Sequence, residues 1–184
     1  MNDQDYIIKI FKYFARFVPM AVLNDSLRQP SYSAIPGYDA VKAEILQPSE
    51  LVISNINTYV CSAHPGFVSD RIKNAQGLIL FVEYGGIGFN PVGERGVSKN
   101  LGITVAHDYN HTNNDNLNEA LLMNRCNNIL NHILAQIEAD QHLNNGCTVM
   151  GMANFPAQCS PINAEEFFGR YGWSATLTIN QTYL

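Results

Sequence analysis

The sequence predicts an α+β fold: a mostly antiparallel sheet, a long helix of the C-terminal half packed on one face, and an N-terminal helix. Three observations carry this. Residues 77–84 (GLILFVEY) are continuously apolar up to Glu83, the pattern of a strand central in its sheet. Residues 172–183 alternate, with Trp173, Ala175, Leu177, Ile179 and Tyr183 facing one way and Ser174, Thr176, Thr178, Asn180 and Thr182 the other. Residues 116–140 place Leu122, Cys126, Ile129, Ile133 and Ile137 on one helical stripe, broadened by Leu121, Leu130 and Leu134. Strands that follow in a run, with helices flanking rather than separating them, imply an antiparallel sheet with its helices segregated.

The elements follow in order. Residues 3–18 read as a helix, with Ile7, Ile10, Phe11, Phe14, Phe17 and Val18 at three- and four-residue spacing. Asp3 and Asp5 suit its positive end, and Pro19 stops it. Residues 24–50 are broken by Pro30, Pro36 and Pro48, with room for a short helix over 38–46. Residues 51–60 are rich in β-branched side chains and read as a strand, a helix capped by Ser49 being the rival reading. A turn over 61–70 holds Ser-Ala-His-Pro-Gly. The strand 77–84 ends at Gly85, Gly86 and Gly88, and a second strand occupies 101–109, so 85–100 is expected to be a long connection. Asn116 caps the long helix, with Glu119 as the reciprocal partner of a capping box. Residues 147–166 read as a long loop or irregular strand before the last strand.

Composition narrows the function. A chain of 184 residues with 46% hydrophobic content is expected to form one α+β domain over 1–184 with a substantial core. Net charge is −5, from 11 Lys+Arg against 16 Asp+Glu, which argues against a nucleic-acid partner, since that requires a basic stripe. Charged residues make up only 15%, and 21 asparagines supply much of the polar surface instead. The first residues are acidic where an export signal is basic, and no long uncharged apolar run occurs, so a cytoplasmic location without membrane association is expected. Cys61, Cys126, Cys147 and Cys159 form no C-x-x-C pair and read as buried or free thiols, with a Cys147–Cys159 bridge left open.

The chemistry-bearing residues do not converge on an enzyme. His107 and His111 would share a helix face, but on a strand they stand about 13 Å apart, too far for one ion. Cys61 and His64 suggest a thiol and its base, without a recognised nucleophile motif or an orienting third group. His142 at the end of the long helix suits the helix dipole. Gly85-Gly86-Ile87-Gly88 follows a strand but opens no helix, so neither a P-loop nor a dinucleotide turn is indicated. Glu165 and Glu166 are adjacent and cannot face one site together. No catalytic, metal-ligating or cofactor-binding residue is assigned, and no cofactor is expected.

One larger pattern stands out. A strand opening with Gly77 and ending in Tyr84-Gly85-Gly86 is followed by a polar connection and the strand over 101–109. An Asn- and Asp-rich gap, a long amphipathic helix and a final Gly172-Trp173 strand complete it. Over residues 75–183 this resembles the phage tail terminator and tail-completion proteins, particularly the Mu-like kind. There a G-a-L-L-V-x-Y-x-G-s strand precedes an f-x-v-x-v strand and a long helix; Ile87 departs from the small residue of that pattern.

The resemblance implies an α+β ring subunit, usually one of six, that caps the tail tube and joins it to the head-proximal connector. Its partners would be itself and tail tube or connector proteins, in the cytoplasm during assembly of a phage or prophage particle and then in the virion tail. No catalytic residues follow from it. A ring subunit needs two complementary surfaces, so residues 90–100 become the candidate contacting arm, with Arg95 and Lys99 meeting acidic groups of the partner. Two other readings stand beside it. One is a generic α+β protein-binding module; the other is a small metal-dependent hydrolase using His107 and His111.

Overall fold

The computed structural model describes residues 6–27, 36–90, 96–108, 115–143 and 152–182. Within them run helices α1 (Tyr6–Ala15), α2 (Met20–Ser26), α3 (Tyr38–Ile45), α4 (Ser69–Asn74) and α5 (Asn116–Leu143). The strands are β1 (Ile56–Ser62), β2 (Leu78–Asn90), β3 (Gly96–Asp108), β4 (Met152–Ala153), β5 (Gln158–Ile162) and β6 (Arg170–Thr182). The sheet order is β1-β2-β3-β6-β4, with β5 also on β6; β1 and β2 are parallel and every other pair is antiparallel. The fold is α+β, as the patterning implies.

Both sheet faces follow from strand periodicity. On one face Leu78, Leu80 and Val82, then Leu101, Ile103 and Val105, then Ala175, Leu177 and Ile179 join a core with α1 and α5. Ile10, Phe14 and Phe17 enter it from the N-terminal segment, and Cys126, Leu130, Ile133 and Ile137 from α5. Each such fully buried aliphatic or aromatic side chain contributes roughly 1.5–3 kcal/mol of transfer free energy. At one end of the opposite face, Val60, Ile79, Phe81 and Ala106 make a second, smaller cluster under Ile72 of α4 and Phe167. Gly172 sits in β6 where a Cβ would lie 2.1 Å from the Val105 carbonyl oxygen, so no other residue allows the strands this approach.

Several boundaries differ from the sequence-based expectations. The N-terminal helix ends at Ala15, and a separate helix, α2, starts directly after Pro19 and runs into the stretch from 24 expected to be irregular. Helix α3 occupies the place foreseen for it. The strand expected over 51–60 is β1, displaced to Ile56–Ser62, and α4 was not anticipated after its turn. The long connection over 85–100 is largely strand. β2 continues through Gly85, Gly86 and Gly88 to Asn90, paired with Gly96 of β3. A register shift between Tyr84 and Ile87 marks a bulge there, so these glycines relax a continuing strand rather than end it. The cap of α5 is Asp115, not Asn116: its Oδ1 accepts the Asn118 N–H at 2.8 Å. β4 and β5 occupy part of the stretch 147–166.

Candidate interaction face

The end of β1 and the middles of β2 and β3 position the candidate site. On the second sheet face, beside the Ile72–Phe167 cluster, the rows of side chains follow from register, with Ser62 and Thr104 buried among them. Phe81, Thr104 and Ser174 stand side by side, and the Thr104 hydroxyl donates to Ser174 Oγ at 3.0 Å. The next row is Ser62, Glu83, Gly102, Thr176 and Gln158. The row after that pairs Asn100 with Thr178. Glu83 is the one charged side chain of these three rows. Gly102 makes room for it: a Cβ there would lie 3.3 Å from Glu83 Cβ and 3.8 Å from Oε2. Desolvation raises the Glu83 carboxyl from its ordinary value, and the nearby His64 opposes this in part.

His64 ends the turn after β1. Its Nδ1 accepts the Gly66 N–H at 3.0 Å, capping a short 3-10 turn over Pro65–Val68 and leaving the ring hydrogen of the neutral form on Nε2. Its carbonyl accepts the Ser62 hydroxyl at 3.3 Å. Phe67, on that turn, is 80% exposed with its ring centroid 5.9 Å from the His64 ring. Sequence reasoning singled out His64 only as a base for Cys61, and missed Glu83 and Phe67. The signal for Glu83 was present as the first charge ending an otherwise apolar strand.

The residues singled out from sequence are placed as follows. Cys61 packs against the α1-side core while His64 is exposed, and burial pushes the Cys61 thiol up to about 12, against a lowering hydrogen bond from Tyr59. It is a poor thiolate nucleophile. His107 lies at the end of β3 with Nδ1 2.7 Å from both the Asp108 carbonyl and its Oδ1; His111 lies outside the described residues. Among the described residues no three His, Cys, Asp or Glu side chains converge as metal ligands. The N–H groups of Glu165 and Glu166 both donate to Asn163 Oδ1, so these residues build a turn. Cys61, Cys126 and Cys159 are free thiols, and Cys147 lies outside the described residues, as does Arg95.

Lys99 is a correction. It lies in β3 rather than in a loop, is 1% exposed, and holds Nζ 4.0 Å over the Tyr6 ring of α1. The continuing hairpin carries it under the N-terminal helix, so it joins the interior and is not a surface contact. No described helix is long and apolar enough to cross a membrane. Comparison of the chain with protein-family models, with curated proteins and with solved structures finds no match.

Proposed function

We propose that this chain is a structural assembly subunit resembling a phage tail terminator. It would close a ring on itself, cap a tail tube and join it to the head-proximal connector. The observation that supports this reading is the β2–β3 hairpin. Both strands are 13 residues long, and β1 covers β2 only from Leu78 to Glu83. Beyond Glu83 the outer edge of β2 carries no strand among the described residues, and β5 presents a short exposed strand at the opposite side of the sheet. Two different strand edges on opposite sides of one subunit are what a head-to-tail contact that closes requires.

Light scattering across a wide protein concentration range tests it, followed by mixing with tail tube protein. A closed ring, alone or on the tube, is the expected result. A chain that stays monomeric at high concentration and does not bind the tube overturns it. A second reading, a protein-binding module that forms no ring, is favoured by the polar row of Ser62, Glu83, Thr176 and Gln158 across the second sheet face.

A further inference from the structure

We infer that the outward face of α5 docks on the same helix of a second copy of this chain, antiparallel, about a two-fold axis at Asn128. Helix α5 turns Cys126, Leu130, Ile133 and Ile137 into the core. On its opposite side Leu117, Leu121, Asn124, Asn128, Ala135 and Ala139 fall on one stripe, and every one of them is exposed. The stripe is about 33 Å long, and Arg125 and Glu138 stand on its two flanks rather than on it. Leu117 is 68% and Leu121 57% exposed, whereas a helix that packs only on its own sheet turns its large apolar side chains inward. Leu121 thus stands outside the core stripe to which its spacing assigned it.

The occupant follows from the order of these residues. Both leucines lie near the start of the helix and both alanines near its end. An antiparallel copy sets large side chains on small ones, and one register does so throughout: Leu117 on Ala139, Leu121 on Ala135, and Asn128 on its own counterpart. A carboxamide both donates and accepts, so two Asn128 side chains complete each other on the axis. Arg125 then faces Asn131 and Glu138 faces Asn118, so no like charges meet. A parallel pair would crowd leucine on leucine at one end and leave alanine facing alanine, an unfilled gap, at the other. Helix α5 covers one face of the sheet, while the ring reading rests on strand edges at its sides, so the two contacts are independent.

The test uses the full chain carrying Cys147→Ser and Cys159→Ser, with one further substitution at a time: Leu121→Cys, Asn128→Cys or Ala135→Cys. At about 100 µM chain under mild oxidation, a range suited to a weak contact, Asn128→Cys is expected to form a disulfide-linked dimer. Only on the axis do equivalent residues meet at disulfide distance. Leu121→Cys and Ala135→Cys are each expected to stay unlinked alone, since each lies about 21 Å along the helix from its own counterpart, and to link to one another when mixed. Sedimentation velocity of the unsubstituted chain should show dimer rising with concentration. Leu121→Lys should weaken that association at least about tenfold, with circular dichroism showing the helix retained. Self-linkage of all three cysteine variants would mean a parallel pair and overturns the assignment. So does linkage at no site above that of the chain carrying only the two serine substitutions. A ring that forms without the Asn128→Cys linkage also overturns it, and leaves the ring reading intact.

Discussion

Arg170 Nε donates to the Ile72 carbonyl at 2.8 Å, tying the start of β6 to α4 across 98 residues of chain. The same guanidinium donates to the carbonyls of Gly77, at 3.1 Å, and Ala75. One side chain, 2% exposed, thus satisfies acceptors at the C-terminal end of α4 and at the entry to β2. Desolvation lowers its pKa, with Asp108 acting in the opposite sense. Arg170→Met removes the donors and leaves these acceptors stranded, at a cost of about 3 kcal/mol. Arg170→Lys is expected to recover little, since one ammonium cannot reproduce the fork. Urea denaturation of the three proteins measures this directly.

How much of this was legible in the sequence depends on the residue. The apolar run of β2, the alternation of β6 and the stripe of α5 were readable because period alone fixes which side chains are buried. Arg170 was not, because its partners lie far away in sequence and no local pattern announces them. Nor was the length of the β2–β3 hairpin. Glycines at 85, 86 and 88 signal a strand end on propensity, and only pairing with β3 carries β2 through them. Lys99 was misplaced for the same reason: it reads as a loop cation until the strand that buries it is drawn. Glu83 is likewise placed only once its strand partners Ser62 and Gly102 are beside it.

Tyr13 and Asp140 make a second long-range tie. The Tyr13 hydroxyl donates to Asp140 Oδ2 at 2.9 Å, Arg16 Nη1 reaches the same oxygen at 3.1 Å, and Gln136 Nε2 donates to Oδ1 at 2.7 Å. Burial, then the bond to Asp140, pushes the Tyr13 phenol well upward. Tyr13→Phe is expected to cost about 1–2 kcal/mol, since two other donors remain on the carboxylate. A double-mutant cycle with Asp140→Asn should return a coupling of about 1 kcal/mol. Additive single-mutant effects would show that the pair does not act as a unit.

Alkaline pH should weaken the fold. Burial pushes the Cys61 thiol from 9.0 up to about 12 and the Tyr6 phenol from 10.0 up to about 12; burial likewise drives Tyr59 upward. Between these limits the unfolded chain has lost protons that the folded chain still holds. Stability is therefore complete below about pH 9 and falls as pH rises toward the folded values. The loss from these groups should reach on the order of 5 kcal/mol by about pH 11, about half of it from Cys61. Cys61→Ala should flatten the curve by its share. Denaturation midpoints collected from neutral pH upward test this, and a flat profile refutes it.

Glu83 titrates at the acid end with the same sign. Its folded carboxyl is raised by desolvation, so its unfavourable burial is relieved as pH falls through that value and returns as pH rises. Glu83→Gln removes a half-buried charge and should leave stability at neutral pH unchanged or higher by up to about 1 kcal/mol. Thermal melts of both proteins at acid and neutral pH check this. A large destabilisation would mean that the carboxylate is held internally and is not open to a partner.

The burial of Lys99 decides how the hairpin can be probed. Exchanging both Arg95 and Lys99 for glutamate would test partner contact only if both side chains faced outward. Lys99 instead rests over Tyr6, whose buried hydroxyl has no hydrogen-bond partner among the described residues. Lys99→Glu exchanges a buried cation for a buried anion and is expected to cost roughly 3–5 kcal/mol. Lys99→Met keeps the aliphatic stem and should cost far less. Any assembly defect of Lys99→Glu would then report loss of α1 docking. Arg95→Glu alone is the variant that probes the arm. Comparing circular dichroism melts of the three with their light-scattering masses separates the two effects. If Lys99→Glu melts like the parent chain, the lysine is not held under α1 and the arm regains its second cation.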